Sequence, residues 1–98
     1  MRLCVLVAVS GKTILTTLRR LYDDCGGDIE FFLYGDGVLL LDDQSFMELS
    51  KHVKTTLCGV SGEERGTGKR DGVVFGSLYD LSVMAARSDR LVSFAREP

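Results

Sequence analysis

Seven consecutive apolar residues, Leu3 to Val9, most constrain what this chain can fold into. Leu3, Cys4, Val5, Leu6, Val7, Ala8 and Val9 never alternate with polar residues, so a strand built from them offers water no face. A short, β-branched-rich run of this kind suits a central parallel strand covered on both sides. Directly after it, Ile14, Leu15, Leu18, Leu21 and Tyr22 recur at the spacing of one helical face. Lys12, Arg19 and Arg20 point elsewhere, and Ser10 stands where an N-cap is expected. Strand followed by amphipathic helix opens a βαβ unit.

Asp23, Asp24, Cys25, Gly26 and Gly27 end that helix, the glycines supplying positive φ. A second apolar strand, Asp28 to Tyr34, closes on Tyr34-Gly35-Asp36-Gly37-Val38. Two glycines flanking an aspartate let backbone approach another group closely, as a binding loop needs. A tight strand-to-helix turn with Asp36 as cap is an equal reading. Val38 to Leu41, then Phe46, Met47 and Leu49, give a broken helical pattern, with Asp42, Asp43 and Gln44 as kink or second cap and the two aspartates as surface charges. In the third strand, Val53 to Cys58, the residues Val53, Thr55 and Leu57 face one way and Lys54, Thr56 and Cys58 the other. That alternation places it nearer a sheet edge.

Gly59 to Gly76 holds six of the eleven glycines of the chain and is expected to be exposed and mobile. Within it, Ser61-Gly62-Glu63-Glu64 matches a capping box, which predicts a short helix starting just past Cys58. Val73 to Phe75 reads as a short strand. Leu78, Leu81, Met84 and Ala85 make the core-facing stripe of a last helix, Leu91 to Phe94 a final strand, and Arg96, Glu97 and Pro98 a tail.

At 98 residues the chain reads as one domain, residues 1–98, near the size at which a domain leans on a partner for extra burial. A net charge of -2 and a pI near 5.3 argue against a general binder of nucleic-acid backbone. The apolar run at Leu3 is too short to span a bilayer and too short for a secretion signal, so the expected location is the cytoplasm. Ser10-Gly11-Lys12-Thr13 looks like the tail of a phosphate-binding loop, but Leu6 stands where that motif needs glycine. No cofactor is expected.

Three cysteines without paired spacing fit neither a disulfide framework nor a zinc site, and the one histidine, His52, leaves little for a metal; none is expected. Ligands of open α/β sheets bind outside the carboxyl ends of the strands, and Cys58 stands at such an end. His52 lies six residues earlier, roughly 20 Å away along an extended strand, so a Cys-His pair is improbable. A helix start and Arg65 would bring positive potential to the sulfur, and Glu63 and Glu64 oppose it. What remains is chemistry needing only a nucleophilic sulfur: disulfide exchange, or carrying sulfur as a persulfide.

Phe31-Phe32-Leu33-Tyr34-Gly35-Asp36-Gly37-Val38 resembles the strand and Asp-Gly-Val turn of the DsrE/DsrF-like proteins, a family that includes subunits of sulfur relays. Leu57-Cys58 with Arg65-Gly66 is similar to that family's cysteine and following Arg-Gly pair. Leu78, Leu81 and Ser88 to Phe94 resemble its last helix and terminal strand. The pattern departs after Cys58, where Gly59, Gly62, Glu63 and Glu64 replace an alanine-rich helix.

The resemblance implies a three-layer α/β/α fold with a mainly parallel sheet, flavodoxin-like in outline, and a homo-oligomer, trimer or hexamer. It also implies Cys58 as persulfide carrier between donor and acceptor proteins. From the residues themselves, Gly35, Asp36, Gly37, Gly59, Ser61 and Arg65 are the candidate binding-loop residues. The alternative is a non-catalytic binding or structural subunit in which Cys58 is buried.

Overall fold

The structure is a computed structural model describing residues 1–96; the expected tail residues Glu97 and Pro98 lie outside the described residues. In chain order the elements are β1 (Leu3–Val7), α1 (Lys12–Cys25), β2 (Ile29–Leu33), 3-10 turns over Gly35–Asp42, α2 (Gln44–Ser50), β3 (Lys54–Cys58), α3 (Gly59–Glu64), β4 (Val73–Gly76), α4 (Leu78–Ala86) and β5 (Arg90–Phe94). All strand pairs are parallel, in the order β4-β3-β2-β1-β5. The apolar run at Leu3 forms the strand between β2 and β5.

This order fixes the layers. Three successive crossovers step the chain from β1 to β4 in one direction, and right-handed connections keep their helices on one face of the sheet. The fourth steps back past β3, β2 and β1, which carries α4 to the opposite face.

The packing follows. Leu3, Val5, Val7, Ile29, Phe31, Leu33 and Leu57 of the sheet pack with Ile14 and Leu18 of α1, Val38, Leu40 and Leu41 of the 3-10 turns, and Phe46 and Leu49 of α2. The Phe31 and Phe46 rings lie 6.0 Å apart, centre to centre. On the other face the buried cluster is much smaller: Cys4, Phe32, Cys58 and Met84, with Leu6 and Leu81 partly buried against it.

Several local expectations change. Gly11, not Ser10, stands at the N-cap of α1, with no side-chain hydrogen bond there. Asp43 does cap α2, accepting from the amides of Ser45 and Phe46. Asp42 pairs with Arg70 at 2.9 Å. Much of Gly59 to Gly76 is ordered as α3 and β4, and Thr67 within it is buried. β3 does lie near a sheet edge, as its alternation suggests, one strand in beside β4. The stripe on α4 is only half core: Met84 is buried and Leu81 partly, whereas Leu78 is 55% exposed.

α4 is capped at its start and tied to the sheet at its end. At its start Ser77 and Asp80 form a capping box, Asp80 accepting from the Ser77 amide at 2.7 Å. Just past its end, Arg87 donates to Glu30 Oε1 at 2.6 Å. Glu30 sits mid-strand in β2 and is 7% exposed, and among the described residues its second oxygen, Oε2, has no hydrogen-bond partner. Cys4 is fully buried on the same face. Burial first, and the Glu30 carboxylate second, push its thiol above the usual range, while Arg87 pulls it back.

Candidate functional site

The carboxyl ends of β2, β3 and β4 meet at one cavity. Tyr34 follows β2, Cys58 ends β3, and Gly76 ends β4 directly beside Cys58 in the strand register. These three residues, with Val60, Ser61 and Glu64 of α3 and Ser77, Leu78 and Tyr79 at the start of α4, line a space of about 420 Å³. Cys58 is 4% exposed and lines this space from within the smaller of the two cores. It is also the N-cap residue of α3, though its side chain makes no capping hydrogen bond.

Gly76 lets Asp80 and Thr56 pack closely beside Cys58. A Cβ there would meet Asp80 Oδ2 and Thr56 Cγ2, each at 2.7 Å. The apolar rim is open to solvent: Tyr34 is 42% exposed, Leu78 55%, Val60 68% and Tyr79 74%.

The loop residues chosen from sequence divide into three groups. Ser61 lines the cavity with Cys58, and its buried hydroxyl accepts the Gly35 amide at 2.9 Å. Gly35 and Asp36 form a clamp with α3, because Arg65 Nε donates to Asp36 Oδ1 at 2.8 Å and Arg65 Nη1 to the Ser61 carbonyl at 3.3 Å. Gly37 and Gly59 serve close approach: a Cβ on Gly37 would stand 1.9 Å from the Val7 carbonyl oxygen, and one on Gly59 2.5 Å from the Phe75 ring. Asp36 makes no helix cap, and the positive potential expected from Arg65 is directed at Asp36; Arg65 is not among the cavity residues. The short helix expected just past Cys58 is present, α3 beginning at Gly59, but no capping box opens it, because the Ser61 hydroxyl is committed to Gly35.

Tyr34, Val60, Glu64, Gly76, Ser77, Leu78 and Tyr79 were not among the residues sequence reasoning selected. The rule that ligands gather at strand carboxyl ends, applied to β4 as well as β3, would have found Gly76 and Ser77. His52 stacks near Tyr22, ring centres 6.0 Å apart, and takes no part in the cavity. Among the described residues no three of His, Cys, Asp and Glu are gathered to hold a metal ion, and no helix is long and apolar enough to cross a membrane. A groove of about 380 Å³ between α1 and α2 is lined by residues such as Leu15, Arg19 and Ser45 and holds neither cysteine nor histidine.

A five-stranded parallel sheet in this order, with three helices on one face and one on the other, defines a DsrE-like α/β/α fold. The crystal structure of the YchN protein from E. coli is similar to it with a TM-score of 0.75, covering 96% of this chain and 100% of that one at 22% sequence identity. The likeness is one of fold. No family model matches the chain, and no curated protein does.

Proposed function

We propose that this protein is a small sulfur-relay carrier in which Cys58 accepts sulfur as a persulfide and passes it to a partner protein. The observation that carries the reading is the placement of Cys58: at the carboxyl end of β3, lining an open cavity, on a DsrE-like fold. The Cys58 thiolate attacks the outer sulfur of a donor persulfide, R–S–SH. A new S–S bond forms to Cys58, the donor's S–S bond breaks, and the donor leaves as R–S⁻. Cys58 then holds –S–SH, and an acceptor thiolate removes the outer sulfur in the same way, returning the Cys58 thiolate. No oxidant is consumed, and the only proton exchange is with solvent through the mouth of the cavity. All three cysteines are free thiols, the form a reducing cytoplasm maintains, and we place the protein there.

The test is loading from a protein persulfide donor, read as the gain of one sulfur atom by mass spectrometry of the digested protein. Loading at Cys58 that disappears in Cys58→Ser is the expected result. Loading retained in that variant, or confined to Cys4 and Cys25, contradicts the reading.

The near-complete burial of Cys58 favours a second reading, a non-catalytic subunit whose cavity and apolar rim bind a partner. Slow alkylation of native Cys58, fast only after unfolding, would favour it. Both readings include a homo-oligomer, trimer or hexamer. α4 is one helix about 10 Å wide set over five strands about 4.8 Å apart, and it leaves Val74 and Leu91 on its flanks 45% and 52% exposed. A sedimentation mass equal to one chain would exclude the oligomer.

A further inference from the structure

The mouth of the Cys58 cavity joins an apolar rim to one carboxylate, Glu64. Four large side chains, Tyr34, Val60, Leu78 and Tyr79, surround one opening, each more than two-fifths exposed. Scattered exposed hydrophobes need no explanation, but four around a single opening mark a contact surface. Glu64 is the one formally charged side chain lining the cavity. Asp80 stands behind Gly76 and Ser77, its carboxylate 2.7 Å from where a Cβ on Gly76 would be.

The cations of this region make their closer contacts elsewhere, and only Arg65 also pairs loosely with Glu64. Arg65 sits 2.8 Å from Asp36 and only 3.9 Å from Glu64, Arg70 is on Asp42 at 2.9 Å, and Lys69 lies 5.6 Å above the Phe75 ring. None of them lines the cavity. A partner's thiol reaching Cys58 therefore passes exposed apolar side chains and a carboxylate that its neighbours only partly neutralise.

We propose that the segment exchanging sulfur with Cys58 is a protein segment carrying positive charge beside an apolar side chain, and that Glu64 is the residue selecting for that charge. The inference rests on the sulfur-relay reading of Cys58. It commits to a cationic polypeptide as partner and excludes low-mass anionic sulfur compounds, such as thiosulfate or an acidic tripeptide persulfide, as efficient donors. An attacking thiolate already repels an anionic donor, and Glu64 adds to that repulsion. At about 8 Å through solvent-exposed surface, one carboxylate changes the local concentration of a unit charge roughly two- to fivefold, and added salt erases much of the effect.

The test uses two capped peptides bearing a cysteine persulfide next to a leucine, one flanked by two lysines and the other by two glutamates. Their rates of loading Cys58 are compared in wild type, Glu64→Gln and Glu64→Lys at low and high salt. The expected result is at least tenfold faster loading from the lysine peptide at low salt, a gap that shrinks in Glu64→Gln, shrinks further in Glu64→Lys, and closes as salt rises. Glu64 is on the surface, its side chain 68% exposed, so the variants are expected to fold. Equal rates in wild type, or a gap that both substitutions leave unchanged, overturn charge selection while the relay reading stands. Loading from neither peptide overturns the relay reading and this inference with it.

Discussion

Arg65 and Asp36, 29 residues apart in sequence, meet at 2.8 Å and tie the turn after β2 to the end of α3. The Ser61 hydroxyl accepts the Gly35 amide across the same gap, so two contacts bridge it, and the guanidinium is steadied from within α3 by the Ser61 carbonyl. Asp36 is 65% exposed and Arg65 29%, which limits the worth of the ion pair. Arg65→Ala is expected to cost about 0.5–1 kcal/mol in urea unfolding, with part of the loss recovered in Arg65→Lys. A loss of several kcal/mol would mean the clamp organises far more than this one turn.

Gly37 and Gly68 make a matched pair. A Cβ at Gly37 would stand 1.9 Å from the Val7 carbonyl oxygen, whereas one at Gly68 meets nothing within 4 Å. Gly37→Ala must push the turn off the end of β1, with an expected cost of about 3 kcal/mol. Gly68→Ala is expected to be neutral or to stabilise by about 0.5 kcal/mol, since the unfolded chain loses freedom and the folded one meets no clash. Thermal unfolding of the two variants side by side checks both.

The Glu30–Arg87 pair holds a buried carboxylate against a guanidinium that is 36% exposed. Arg87→Ala leaves that carboxylate without its partner and is expected to cost about 2–3 kcal/mol; water reaching the vacated place limits the loss. Replacing both residues by leucine removes the uncompensated charge and is expected to recover most of it. A double variant as unstable as Arg87→Ala would show that the damage comes from lost packing rather than from the orphaned charge.

Cys4 gives a pH dependence of known sign. Burial and Glu30 raise its folded thiol above the ordinary value of 9.0, so the folded protein holds this proton more tightly than the unfolded chain does. Its contribution to stability is full below that value and is lost as pH rises through the folded one, by at most about 1.4 kcal/mol per pH unit. Urea titrations from neutrality to above pH 10 should show wild type falling more steeply than Cys4→Ala. Parallel curves would contradict it. Alkylation of the native protein should reach Cys25, half-buried at the end of α1, well before Cys4.

The three inner strands and α1 were legible in the sequence because their signals are local. Leu3 to Val7 and Ile29 to Leu33 are near-continuous apolar runs, and Ile14 with Leu18 marks the buried face of α1 at helical spacing. What misled was local pattern overruled by distant partners. Ser61-Gly62-Glu63-Glu64 reads as a capping box, and although the short helix it predicts just past Cys58 is there, the Ser61 hydroxyl serves an amide 26 positions away. The stripe on α4 reads as core because periodicity shows that a helix has an apolar face. It does not show how much of the sheet that face reaches, so Leu78 ended at the cavity rim instead of inside. Arg65 was noticed for its charge, but its partner Asp36 comes from the preceding strand's turn, and no spacing rule links the two.

The unequal cover of the two faces sets different clocks for different parts of the molecule. Backbone amides of β1 and β2, under α1, α2 and the 3-10 turns, should exchange with solvent hydrogen only when the whole chain opens. α4 is held by Met84, Leu81 and the Arg87–Glu30 contact at its end, and should lift far more often. Its first residues are also a wall of the cavity, so each lifting is expected to bare the Cys58 sulfur while the rest of the fold stays closed. A thiol that is buried on average is then expected to be exposed at a frequency set by one short helix and by the contacts that hold it down.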